Sequence, residues 1–344
     1  MPHGLISVII PTLNAARTLE VCLAALARQT VRDDVEVLVV DGGSTDATRE
    51  VAERHGARVL ENPWVVPERA KAIGLREAAG EWGVFLDADE ELVRHDALER
   101  RRALLEAHPD VHNVMTAGMR RPAGEPPLSD YANRYGDPFS YFLYRLDGGE
   151  MVPDLLERYT LVEETPDGLV FEVPWNREMP ICDAGSHFFR LSLVRERLDL
   201  ADPTLASRLF MLMTAEHRRF GVLRGDYVLH HAATTPRGLW RKIDWRVRNN
   251  TYVDAESSAG HASRADMQPA GLRRRQLAFL PYALLAVPAL VDGARLAVRH
   301  RNPAMLLHGP LATATAVDVI VHRAARAAGL RFPAGSYGRP EATR

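Results

Sequence analysis

The chain has 344 residues, 46% apolar and 26% charged, ordinary globular values with room for one large domain and an appendage. A formal charge of −2 excludes the broad basic footprint that nucleic-acid binding requires. Two cysteines, Cys22 and Cys182, exclude a disulfide framework and fit reduced thiols in the cytosol.

No basic region followed by a long apolar core precedes the first apolar run, so no secretory signal is expected and a cytosol-facing location is. Leu5–Ile10 is apolar and β-branched, as a buried parallel strand should be. Pro11-Thr12-Leu13-Asn14 breaks it, and Leu19, Leu23 and Leu26 then recur at helical spacing through Arg17–Gln29. Val35–Val40 reads as a second strand, ending in Asp41-Gly42-Gly43-Ser44-Thr45-Asp46, whose glycines permit a tight turn and whose Ser44 or Asp46 can cap a helix. Thr48–His55 reads as that helix, Ala57–Glu61 as a third strand, Glu68–Ala79 as a helix stopped by Gly80, and Gly83–Leu86 as a fourth strand. Strands alternating with helices predict a right-handed, mostly parallel α/β sheet. Ligands of such sheets sit beyond the carboxyl ends of the strands. The loops at Thr12, Asp41 and Asp87 all emerge on that edge.

Asp87-Ala88-Asp89 closes the fourth strand. Two carboxylates one residue apart at a strand end suit a hard divalent cation such as Mg or Mn, and through it a diphosphate. On its own the triplet is weak, because such pairs occur on many loops.

Asp96–Ala107 reads as a further helix, and residues 120–175 as irregular, with aromatics at Tyr131, Tyr135, Phe139, Tyr141, Phe142, Tyr144 and Trp175. Such a stretch suits a variable acceptor-side segment or simple packing. Ile181–Arg190 reads as a strand, Thr204–Phe220 as a helix, Tyr227–His231 as a last strand and Leu239–Tyr252 as a basic helix. Ser257–Gln268 is small and polar, as a linker is. Leu277–Val298 and Met305–Val321 are apolar but interrupted by Pro281, Pro288, Asp292, Pro310 and Asp318. Neither is a clean spanning helix. With their arginine flanks they fit helices lying in a membrane interface, or a helical pair packed on the rest of the chain.

Four blocks carry a resemblance: Val8-Ile9-Ile10-Pro11-Thr12-Leu13-Asn14, Val39-Val40-Asp41-Gly42-Gly43-Ser44-Thr45-Asp46, Ala70-Lys71-Ala72-Ile73-Gly74-Leu75, and Phe85-Leu86-Asp87-Ala88-Asp89. In order and spacing, over about residues 5–95, the chain resembles the family 2 glycosyltransferases of GT-A fold. The C-terminal segments look like those of members that work on lipid-linked acceptors. The resemblance implies sugar transfer, usually with inversion, from a nucleotide-diphosphate donor (UDP-, GDP- or dTDP-linked) to a lipid-linked or cell-envelope glycan acceptor. It places the chain on the cytosolic face of the plasma membrane, held there through the C-terminal helices. It implies a catalytic domain over 1–256 (donor half about 1–119, acceptor half about 120–256), a linker over 257–272, interface helices over 273–330 and a tail over 331–344.

Carried over residue by residue, Asp41 resembles the aspartate that accepts a hydrogen bond from the donor base, with Pro11 and Thr12 as the facing wall. Asn14, Gly43, Lys71, Ala88 and Arg241 fall among the donor-binding positions, and Glu68 and Arg69 near them. Asp89 corresponds to the direct metal ligand and Asp87 to a group shared between metal and ribose. His230 corresponds to a histidine that joins the metal or the diphosphate; the alternative is a surface pair with His231 at a strand end. The expected metal set is therefore Asp87, Asp89 and His230, around Mg or Mn. Inversion needs a base for the acceptor hydroxyl; Asp202 is the first candidate and Asp199 the second. The Glu-Asp pair common at this place is missing, and Asp202 before Pro203 is equally a helix cap. Arg237, Arg241, Lys242 and Arg246 suit a donor diphosphate, a lipid phosphate or a solvated basic face.

A sugar-phosphate nucleotidyltransferase also uses a parallel sheet and carboxylate-bound metal. It typically has a glycine-rich basic loop after the first strand, where this chain has Pro11-Thr12-Leu13-Asn14-Ala15-Ala16. A non-catalytic nucleotide-sugar-binding module is the third reading, and retention of Asp41, Asp87 and Asp89 opposes it.

Overall fold

A computed structural model describes residues 4–175, 177–179, 187–202, 204–252, 267–268 and 270–332. Cys182, Pro203 and most of the expected linker and tail lie outside the described residues. The chain forms two compact units. One comprises Met1–Met119 with Met151–His230, the other Arg120–Glu150 with His231–Arg344. This division differs from the expected boundary at 256: residues 120–150 and the chain from His231 onward group with the C-terminal helices.

The first unit is built on a nine-stranded sheet. Its strands are β1 (Ile6–Thr12), β2 (Val35–Asp41), β3 (Arg58–Glu61), β4 (Trp82–Phe85), β6 (Asn113–Met115), β8 (Thr160–Glu164), β9 (Gly168–Glu172), β10 (His187–Arg190) and β11 (Arg219–Leu223). Their order is β3-β2-β1-β4-β10-β6-β11-β9-β8. The β3-β2-β1-β4 half is wholly parallel, and β10 enters antiparallel between β4 and β6. β5 (Glu90–Leu92), β7 (Gly118–Arg120) and β12 (Tyr227–His230) form a small second sheet in the order β5-β12-β7.

Alternation along β1 sorts its side chains to two faces. Ile6, Val8 and Ile10 pack with Leu19, Leu23 and Leu26 of α1 (Ala16–Ala27) and with Leu98 and Leu105 of α4 (Ala97–Ala107). Ile9 on the other face packs with Ala70 and Leu75 of α3 (Pro67–Glu77) and with Leu205 and Leu209 of α9 (Leu205–Ala215). The result is a three-layer α/β/α arrangement, completed by α2 (Thr48–Arg54) and α8 (Leu191–Arg197). Gly74 makes the α3 contact possible: a Cβ there would stand 2.2 Å from Ile9 Cγ2.

Three expectations are corrected. Residues 120–175 are not irregular. They hold α5 (Pro127–Tyr135), α6 (Pro138–Tyr144), α7 (Met151–Arg158), β8 and β9. Pro127 and Pro138 open the first two helices in the first turn, where proline costs no hydrogen bond, and Asp137 caps α6 by accepting Ser140 N–H at 2.8 Å. The helix expected over Thr204–Phe220 stops at Ala215; Arg218 takes φ 56°, and the chain turns into β11 between β6 and β9. The run Leu277–Val298 is two helices, α11 (Ala270–Leu284) and α12 (Val287–His300), bent by 90° where Ala286 takes φ 59° ahead of Pro288.

The second unit is helical: α5, α6, α10 (Pro236–Tyr252), α11, α12 and α13 (His308–Ala327), the last entered through a 3-10 turn at Pro303–Leu307. Pro303–Ala327 is long and apolar enough to cross a membrane by length and composition. Yet its His308 is buried and bonded on both ring nitrogens, to Tyr131 Oη at 2.9 Å and Tyr282 Oη at 2.8 Å. Tyr282 donates in turn to Asp292 Oδ2 at 2.9 Å, which also takes Arg145 Nη1 at 2.7 Å. That network fixes one face of the helix within the unit, while Val317, Ile320 and Val321 on it are exposed.

Candidate active site

Parallel register brings the first two expected loops together. Thr12 pairs with Asp41, and Asp41 with Glu61 on the far side. Ile9 pairs with Phe85, so Asp87, two residues on, falls level with Pro11 at the same carboxyl edge.

Asp41 is buried, and its own loop holds its carboxylate. Gly43 N–H and Ser44 N–H donate to Oδ2 at 3.2 and 3.0 Å, Thr12 Oγ1 to Oδ1 at 3.3 Å, and Arg49 Nη1 lies 3.7 Å away. Gly43, at φ 84°, makes the turn that aims these amides. Asn14, itself at φ 52°, ties the facing loop: its amide donates to Ser44 Oγ at 2.8 Å and its Oδ1 accepts Thr45 N–H at 2.8 Å. Pro11, Thr12, Asn14, Asp41 and Gly43 thus form one braced rim.

At the acidic triplet, the buried Lys71 reaches from α3 to Asp87 Oδ1 at 3.0 Å. Burial works against the ammonium charge. Asp87, through its charge and hydrogen bond, together with Glu68 and Glu90, outweighs it and holds Lys71 above its usual pKa. His230 Nε2, at the end of β12, lies 3.4 Å from Asp89 Oδ2. Antiparallel pairing of β12 with β5 sets His230 opposite Glu90 and so beside the triplet. Ala88 between the two aspartates is buried and anchors the turn.

Glu90 is the group sequence reasoning passed over. It is buried, and its Oε2 accepts Asp87 N–H at 3.1 Å. Burial, with the Asp87 charge added, pushes its carboxyl up to about 7. The signal was a third carboxylate directly after the triplet, three residues from the amide it caps. His187 was also passed over: buried on β10 opposite Phe85, it is held neutral, at about 3, by burial and then by Lys71 and Arg101.

The donor set fits a divalent cation. Two cis ligands of an octahedral Mg or Mn ion stand about 3 Å apart, close to the Asp89 Oδ2–His230 Nε2 separation of 3.4 Å. Asp87 gives one oxygen to Lys71, so Asp89 and His230 are the pair the fold brings together directly.

Asp202 precedes α9. Because β11 is parallel to β6 and follows α9 closely, the N-terminal end of α9 points to the carboxyl edge. Asp202 Oδ1 accepts Thr204 N–H at 2.7 Å and Thr204 Oγ1 at 2.8 Å. Asp199 is exposed and its Oδ1 accepts Ala201 N–H at 2.8 Å. Arg241 is exposed on α10 and belongs to the second unit. There Arg246 pairs with Asp137 at 2.6 Å, and His231 Nδ1 lies 2.9 Å from Glu125 Oε1.

A parallel α/β half-sheet with an acidic triplet at its carboxyl edge is the architecture of the GT-A fold. Residues 7–146 match the model of Glycosyl transferase family 2. A PGL/p-HBAD biosynthesis glycosyltransferase of Mycobacterium bovis is 37% identical over 114 residues, 31% of this chain and 44% of that protein. A 4,4'-diaponeurosporenoate glycosyltransferase of Staphylococcus haemolyticus is 37% identical over 101 residues, 27% of this chain and 26% of that protein. The chain thus spans less than half the length of these relatives. Among solved structures, the mannosyltransferase PcManGT of Pyrobaculum calidifontis, in complex with GDP-Man and Mn2+, has a TM-score of 0.52 at 19% identity. The match covers 93% of this chain and 86% of that one. It bears out the GT-A fold.

Proposed function

We propose that this chain is an inverting, metal-assisted glycosyltransferase. It moves a sugar from a UDP-, GDP- or dTDP-linked donor to a hydroxyl or phosphate of a lipid-linked or cell-envelope acceptor. The observation that carries the reading is the convergence of Asp89, His230 and the Lys71-bound Asp87 on the strand edge that also bears Thr12 and Asp41. The relatives' names, which speak of mycobacterial PGL and diaponeurosporenoate, support an envelope or lipid-linked acceptor.

Asp89 and His230 hold the cation, with Asp87 beside them. When bound, the cation supplies neutralisation of charge on the departing diphosphate. Lys71 fixes Asp87 in place through their ion pair. Thr12 and the Asp41 loop shape the base pocket, and Asp41 exchanges its Ser44 contact for an N–H of the base. Asp202 takes the proton of the acceptor hydroxyl as the new bond forms; both of its Thr204 bonds fall on Oδ1, so cap and base use different oxygens. Lys71 serves the diphosphate.

A panel of nucleotide sugars, scored for Mn- or Mg-dependent donor hydrolysis and for thermal shift, tests the reading. One donor should stand out, and Asp89→Asn should cut its turnover by at least about 100-fold with the melting temperature nearly unchanged. Full activity in that variant would remove the metal assignment. Release of pyrophosphate from a nucleoside triphosphate would favour a nucleotidyltransferase instead.

A further inference from the structure

The helical unit contains a group with metal-ligand spacing, on helices α10 and α13. Asp318 and His322 lie one turn apart on α13, and Asp244 faces them from α10. The three offer ligand atoms that all lie within 4.8 Å of one another. His322 Nε2 stands 3.4 Å from Asp318 Oδ1 and 3.7 Å from Asp244 Oδ1.

The ring's other nitrogen is settled by its neighbour. Tyr252 Oη lies 3.0 Å from His322 Nδ1 and also 3.0 Å from the His322 carbonyl. The carbonyl can only accept, so the tyrosine proton goes there and Nδ1–H donates to the tyrosine oxygen. In the neutral ring, Nε2 then presents a lone pair to two carboxylate oxygens, an arrangement of acceptors that needs a positive charge among them. A proton on Nε2 is a poor answer, because a charged N–H···O bond closes to about 2.7–2.9 Å, and both separations here are wider. Around a tetrahedral zinc ion with bonds of 2.0–2.2 Å, ligand atoms stand about 3.4 Å apart. Tyr252 occupies the place of the outer partner that orients a metal-bound histidine. Arg248 donates to Asp244 Oδ1 at 2.9 Å and holds that carboxylate beside the ring.

We propose that Asp244, Asp318 and His322 form a zinc-class divalent metal site that ties α10 to α13, with Tyr252 orienting the histidine and a water completing four ligands. The site is independent of the transferase reading, and its test needs no activity.

The experiment uses the full chain carrying Asp89→Asn, which disables the donor-site metal, stripped with chelator and titrated with zinc alone by calorimetry. One equivalent should bind. Asp318→Asn and His322→Gln, added singly, should each weaken binding by at least about 100-fold, and Tyr252→Phe by about 10–100-fold. Far-UV circular dichroism checks that each variant folds. If they do not, cobalt in the folded Asp89→Asn chain decides. Intense visible bands of four-coordinate cobalt, displaced by one equivalent of zinc, support the site. Failure of the Asp89→Asn chain to bind zinc, unchanged affinity in folded Asp318→Asn and His322→Gln chains, or only the weak bands of six-coordinate cobalt overturns it.

Discussion

Lys71 and Glu90 set the electrostatics of the acidic triplet, one from each side of Asp87. The Lys71 ammonium, buried and 3.0 Å from Asp87 Oδ1, is stable only because the carboxylate is there. Asp87 is about a third exposed, so water screens part of any loss. Lys71→Met should cost about 2 kcal/mol of stability, measured by urea unfolding, and should raise the KM for donor more than it lowers kcat. Adding Asp87→Asn to that variant should recover part of the stability, since no orphaned charge remains. Glu90 gives a pH signature. Its folded pKa of about 7 stands above the ordinary 4.5, so between these values the folded protein binds the extra proton. This contribution is present below pH 4.5 and is lost as pH rises through 7. His187, held at about 3, acts in the opposite sense: its contribution is present above about 6.5 and is lost as pH falls toward 3. Stability curves of Glu90→Gln and the parent, compared from pH 4.5 to 8, should therefore diverge most near pH 7 to 8, with the variant the more stable. Coincident curves would show that Glu90 titrates normally.

At the scale of elements, the donor edge depends on how closely α3 approaches β1. Gly74 allows that approach, since a Cβ would stand 2.2 Å from Ile9 Cγ2. Gly74→Ala should destabilise by about 1–3 kcal/mol through overpacking, and should weaken donor binding because α3 carries Lys71. Thermal unfolding and nucleotide-sugar titration read the two effects separately. Much of this layer was legible in the sequence. Strands β1 to β4 and helices α1 to α4 announced themselves through continuous β-branched runs and leucine spacing. Residues 120–175 did not, because α5, α6 and α7 are short, and α5 and α6 start on prolines. β11 was missed for a different reason. Its Arg-Phe-Gly-Val-Leu follows a helix without a glycine or proline between, and Arg218 makes the turn at φ 56°.

For the molecule as a whole, the exposed large apolar residues concentrate on the C-terminal helices: Leu277, Leu285, Val287, Leu290, Val298, Val317 and Val321 among them. Arg274, Arg275, Arg299, Arg301 and Arg323 are interleaved with them. Apolar side chains beside arginines suit an anionic membrane surface, and we propose that this unit brings the enzyme to its acceptor. Leu285 and Val287 flank the 90° bend and are 70% and 65% exposed. The paired change Leu285→Asp with Val287→Asp should abolish co-sedimentation with vesicles rich in phosphatidylglycerol while leaving soluble-donor hydrolysis intact. Binding by the parent should fall as salt is raised. Equal pelleting of parent and variant would place the membrane contact elsewhere.

By itself the sequence determined the α/β class, the strand edge where Thr12, Asp41 and Asp87 meet, and the acidic triplet, because hydrophobic period and loop placement are local properties written into consecutive residues. Only tertiary structure decided that Asp89 meets His230, that Lys71 holds Asp87, and that Asp244, Asp318 and His322 converge. Asp318 and His322 share one helix turn, but the other partners are separated by 16 to 141 positions in the chain, and no local pattern records which distant strand or helix will lie beside which.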